Sequence, residues 1–226
     1  MHGCRWQSAM KGTFFKVFGI AIVIGLLLLL AAPVTPKPPG RKAVDRRNAL
    51  NNGRQLHLAL LDHRERYGSF PNEETMKKVA AEKGIAPFSL ATSNDYFRLL
   101  LAGGSTSERI GYCSHPSLPT HPPDGVVSPL DQAFAKGEVG FAYVANLPAD
   151  APADTPLLAA PMIPGTFQFD RKAFDGHAVV VFMDGSAKSM IIREDNGQVA
   201  IPGGFLFHPK APHWKGKVPD VKYPAH

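Results

Sequence analysis

Residues 42–71 read KAVDRRNALNNGRQLHLALLDHRERYGSFP. Ala49, Leu56, Ala59 and Leu60 recur at helical spacing, with Arg46, Arg54, His57, Arg64 and Glu65 distributed around the other side. The spacing predicts one helix over Lys42 to Tyr67, buried along a single stripe. Gly68 stops it, and Phe70-Pro71 starts the next segment.

Upstream, residues 33–40 (PVTPKPPG) hold four prolines. Proline lacks the amide N–H and clashes with the preceding turn, so this is a stiff, extended linker. Before it lies FFKVFGIAIVIGLLLLLAA, residues 14–32, with Lys16 its one charge. At about 1.5 Å per residue a helix here is roughly 28 Å long, close to the apolar thickness of a bilayer. Lys16 lies near one end, where its stem can snorkel to the headgroups. A cleaved signal peptide is disfavoured, because the apolar run is long and Pro33 follows Ala32 directly. The sequence therefore predicts a retained anchor carrying one exposed domain: a short basic N-terminus (1–13), a transmembrane helix (14–32), a linker (33–41), a globular domain (42–202) and an irregular basic tail (203–226).

Downstream, Asn72 caps a helix to about Glu82, with Glu73 and Glu74 in its first turn. Ser93 or Asn94 caps another, Asp95 to Ala102, ended by Gly103-Gly104. Arg109 to Cys113 reads as a short strand, 114–129 as loop and Leu130 to Lys136 as one or two helical turns. Val139 to Leu147 and Leu157 to Ala160 read as strands. Ala178 to Met183 and Ala187 to Ile192 form a hairpin about Asp184-Gly185, a pair suited to a type I′ turn. The predicted fold class is α+β, a helix packed on a small antiparallel sheet. The tail from Gly203 should wrap the surface with little regular structure.

The formal charge is +6. Much of the excess lies at Lys37–Arg47 and Lys210–Lys222, and basic flanks of an anchor suit anionic headgroups. No nucleic-acid recognition motif accompanies it, so lipid is the expected partner and nucleic acid is not. P-loop, dinucleotide, GxSxG, CxxC and zinc-ribbon patterns are missing from the sequence. Cys113-Ser114-His115 puts a nucleophile beside a base, but neighbours on a strand face opposite ways. Cys113 reads as a small buried hydrophobe, and Cys4, before the anchor, is not expected to pair with it. The pairs His115/His121 and His208/His213 lack a third ligand at suitable spacing. Asp170, Asp175 and Asp184 offer oxygen for calcium, yet turn and capping roles explain them without a metal. No catalytic, cofactor-binding or metal-binding residue is assigned.

Residues 46–74, RRNALNNGRQLHLALLDHRERYGSFPNEE, resemble the conserved start of bacterial type II secretion pseudopilins and related pilin-like proteins. The matching stations are Leu56, Ala59, Leu60, Tyr67, Gly68, Phe70 and Pro71. GHAVVVFMDGSAKSM, residues 176–190, is similar to the hairpin of prepilin-type proteins with a His…Asp-Gly signature, carried by His177, Asp184 and Gly185, although the gap is shorter here. The likeness covers roughly Arg46 to Ile192. It implies a non-enzymatic, single-pass inner-membrane protein with a periplasmic domain, a structural or accessory subunit working through contacts with other pilin-like or secretion-system subunits. The pattern departs at the anchor: five residues after Gly12 stands Val17, where the family carries Glu. A literal positive-inside count also puts the C-terminal side in the cytoplasm. The alternative reading is an anchored extracytoplasmic binding or sensor module that never assembles.

Overall fold

The computed structural model describes residues 40–104 and 107–226. The apolar block at 14–32, Cys4 and most of the proline linker lie outside them. Among the described residues no helix is long and apolar enough to cross a membrane.

The fold is α+β. Helix α1 (Arg41–Tyr67) is followed by α2 (Glu73–Lys83), α3 (Ser93–Ala102) and seven strands: β1 (Ala142–Ala145), β2 (Pro156–Ala160), β3 (His177–Phe182), β4 (Ala187–Ile191), β5 (Ala200–Ile201), β6 (Gly204–Phe205) and β7 (Asp220–Lys222). The main sheet is antiparallel in the order β4-β3-β2-β1-β7, and β5-β6 form a separate ribbon.

Local chemistry sets the helix ends. Gly68 takes a left-handed conformation that closes α1, its N–H reaching Arg64 O. The Asn72 side chain accepts from the Glu74 and Thr75 amides at 2.9 Å each, which starts α2. The first residue before α3 is Thr92 rather than Ser93 or Asn94. Asp95 Oδ2 accepts from both the Thr92 N–H and the Thr92 hydroxyl at 2.8 Å, which closes the start of the helix. Ser93 and Asn94 are buried instead, and Asn94 Nδ2 donates to Phe134 O and Ala135 O.

Leu56, Ala59, Leu60, Val79, Phe97, Leu99 and Leu100 join Tyr143, Leu158, Val179 and Val181 in the core between the helices and one sheet face. The other face is also covered. Ala142, Val144, Ala159, Ala178, Val180 and Phe182 pack against Phe169, Val199, Leu206, Phe207, Ala211 and Trp214. Residues of the expected surface tail thus form a second core, and β7 pairs with β1 as an edge strand. The cause is visible in β3: Ala178–Phe182 is apolar on both faces and needs a lid on each.

Other expectations shift. Arg109–Cys113 is not a strand; Glu108–Gly111 is a 3-10 turn, and Asn52 Nδ2 holds the Arg109 and Tyr112 carbonyls that a ladder would have used. Leu130–Lys136 forms turns rather than helix, with Phe134 at φ 47°. The strand over 139–147 contracts to Ala142–Ala145. At the β3–β4 hairpin only Gly185 has positive φ, at 80°, whereas a type I′ turn needs two such residues. The Gly185 N–H instead reaches Phe182 O and Phe182 N–H reaches Ser186 O, a type I turn closed by a left-handed glycine.

Candidate functional site

The motif residues separate into two places. Leu56, Ala59 and Leu60 lie on the buried stripe of α1, which crosses β3 and β4. Between them His57 turns inward, not outward: it is buried, and its Nε2 lies 3.3 Å from Met183 O. An added Cβ on Gly185 would approach the His57 ring at 3.0 Å, so the helix sits directly on the Asp184-Gly185 turn. Burial pushes the His57 pKa down, despite the opposing Met183 carbonyl. Asp184 Oδ1 accepts from the Ser186 N–H at 2.8 Å, and hydrogen bonds from Ser186 hold its carboxyl below the usual range. His177 opens β3, with Nδ1 2.8 Å from Asp175 O.

Tyr67, Gly68, Phe70 and Pro71 sit at the other end of α1. Tyr67 and Phe70 are buried, Lys78 Nζ donates to Tyr67 O, and the Tyr143 hydroxyl donates to Pro71 O. These stations lock α1, α2 and β1 together. Their role here is architectural.

Along the N-terminal half of α1 runs a polar groove of about 480 Å³. Asp45, Asn48, Asn51 and Gln55 line one side and Arg109, Tyr112 and Ser114 the other. Amide, carboxylate and guanidinium groups give it donors and acceptors for a polar ligand.

Cys113, at the groove floor, is buried, and burial pushes its thiol far above the usual range. It stays protonated at neutral pH and is a poor nucleophile. Nearby, Ser117 Oγ donates to Asp170 Oδ2 at 2.5 Å, and His115 Nδ1 lies 3.7 Å from that same oxygen. His115 Nε2 faces Met162 O at 3.2 Å. The order Ser–Asp–His leaves the serine without a base, since a triad needs the histidine in the middle. Burial opposes ionisation of Asp170, but Ser117 and the Lys172 amide outweigh it and hold the carboxyl low. The constellation ties the 114–129 loop to the segment between β2 and β3.

The histidine pairs and the three aspartates do not assemble into metal sites. His213 is spent on Leu206 O, His121 on Pro122 O and Lys136 O, and Asp175 pairs loosely with Lys42. One group was not anticipated: among the described residues, Glu108, Asp124 and Glu138 bring ligand oxygens within 4.8 Å of one another. They come from three separate segments, so no spacing announces them. The one hint in sequence is a glutamate set at the head of the apolar run Val139–Ala145.

No protein-family model, curated protein or solved structure matches this chain.

Proposed function

We propose that the chain is a membrane-anchored, non-enzymatic pilin-like protein, a structural or accessory subunit of a type II secretion or type IV pilus-like system in a bacterial inner membrane. Its domain stands on the periplasmic side. The supporting observation is the seating of a 27-residue helix, through Leu56, Ala59 and Leu60, across a small antiparallel sheet and onto the Asp184-Gly185 hairpin. Part of each motif, Leu56–Leu60 from the first and Asp184-Gly185 from the second, meets at that contact. The outer face of α1 is left to partners: Val44 and Leu58 are exposed beside Arg47, Asn51 and Arg54. The chain acts by anchoring and by protein contacts.

The polar groove favours a second reading, an anchored binding module that does not assemble. Full-length protein co-expressed with a prepilin peptidase separates the two. Subunit behaviour predicts detergent-phase partitioning and a mass loss corresponding to cleavage after Gly12. An uncut but detergent-partitioning chain supports the binding module. A chain in the aqueous phase with Met1 intact overturns both.

A further inference from the structure

Glu108 and Glu138 are each 1% exposed, and Asp124 is exposed at the mouth of the cluster. Their polar contacts are all with backbone N–H groups. Glu108 Oε1 accepts from Phe134 at 2.5 Å. Glu138 Oε1 accepts from Asp124 at 3.0 Å and its Oε2 from Ala135 at 2.7 Å. Asp124 Oδ1 accepts from Val126 at 2.8 Å. Glu108 Oε2 is buried and makes no hydrogen bond of normal geometry, the Gly125 N–H being the one donor near the carboxyl besides the Phe134 amide on Oε1. Among the described residues no ion pair reaches the group. Arg98, bound to the same loop, is spent on Asp95 at 2.8 Å and on the carbonyls of Ala133 and Phe134.

A buried carboxylate oxygen with no well-aligned donor, beside two further carboxylates, is costly unless something positive sits among them. We infer that Glu108, Asp124 and Glu138 bind a hard divalent cation, calcium, which pins the 3-10 turn after α3, the 114–129 loop and the entry to β1 to one another. The donor set is all oxygen. Three carboxylates supply up to six ligand atoms, and exposed Asp124 leaves an entry path with room for water. Calcium accepts six to eight oxygens in irregular geometry, whereas magnesium demands a near-ideal octahedron and is usually held by one or two carboxylates. A single proton would neutralise one of the three groups. Both Glu138 oxygens already accept N–H groups. Burial first, then the charges of Glu138 and Asp124, push the Glu108 carboxyl upward. The inference stands apart from the proposed function, since it concerns neither the anchor nor α1.

The test is calorimetric titration of EDTA-treated, full-length protein in detergent at pH 7.5, with Ca²⁺ as the probe and Mg²⁺ as the comparison. The expected result is one Ca²⁺ per chain, with a Kd on the order of 10⁻⁵–10⁻³ M, and a rise in melting temperature on adding Ca²⁺. Asp124→Asn, at an exposed position, should keep the fold and weaken binding at least tenfold; Glu108→Gln should abolish it. No Ca²⁺ binding at millimolar concentration, unchanged affinity in Asp124→Asn, or tighter Mg²⁺ than Ca²⁺ binding would overturn the assignment. So would a melting temperature that rises on mild acidification and ignores Ca²⁺, the mark of carboxyls sharing a proton.

Discussion

His63 lies inside the helix layer at 2% exposure, and neither ring nitrogen has a hydrogen-bond partner. Its ring packs against Tyr67 with centroids 4.7 Å apart. Burial, only partly offset by Asp62, lowers its pKa from 6.5 to about 4. The folded chain therefore holds His63 neutral while the unfolded chain protonates it readily. The resulting stability is complete above pH 6.5 and is lost as pH falls towards 4. Two and a half units correspond to about 3 kcal/mol. His57 and His115 are lowered in the same sense by burial, so they add to the acid limb. His63→Leu should flatten that limb by roughly this amount when denaturant stability is measured from pH 7.5 to 4; an unchanged slope would show the ring is not held neutral. Neither His57 nor His63 is legible as buried from periodicity. Both flank the Leu56–Leu60 stripe, and only the depth of the groove that α1 lies in decides which neighbours go inside.

That depth depends on Gly53. A Cβ at this position would stand 2.7 Å from Val181 Cγ2 and 3.4 Å from Phe141 Cε1, so the glycine lets α1 approach β3 closely. Two effects compete in Gly53→Ala. Helix propensity favours alanine by about 1 kcal/mol. Overpacking costs about 1–3 kcal/mol, and Val181, β-branched in a strand, has little rotamer freedom with which to yield. The clash should prevail, and Gly53→Ala should destabilise the protein. In a Val181→Ala background the sign should invert, leaving the propensity gain of about 1 kcal/mol. Denaturant unfolding of the double-mutant cycle checks this, and stabilisation in the otherwise wild-type chain refutes the close approach. The helix itself is plain from sequence, since its stripe, its glycine stop and the Asn72 cap are short-range signals. The Glu108–Gly111 turn is not. Its residues favour a strand, and side-chain hydrogen bonds from Asn52, more than fifty positions away, override them.

Across the molecule, the C-terminal segment closes what the helices leave open. Besides the β7–β1 ladder, the Tyr223 hydroxyl donates to Thr166 O at 2.6 Å and its carbonyl accepts from Ser93 N–H at 3.0 Å. Ala225 O accepts from Gly137 N–H at 3.0 Å, and Ala225 N–H donates to Asn94 Oδ1 at 2.8 Å. Deleting residues 220–226 should remove at least about 3 kcal/mol, a fall of roughly 6–12 °C in melting temperature. A change within about 2 °C would mean the segment merely lies on the surface. The amino-acid sequence alone determined the three helices, the hairpin and the α+β class, because caps, glycine stops and apolar periods act over a few residues. Tertiary structure decided the burial of His57 and His63, the second cover of the sheet, its β7 edge and the meeting of Glu108, Asp124 and Glu138. Those arise from contacts between distant segments, whose energy lies in shared burial and pairing and leaves no period along the chain.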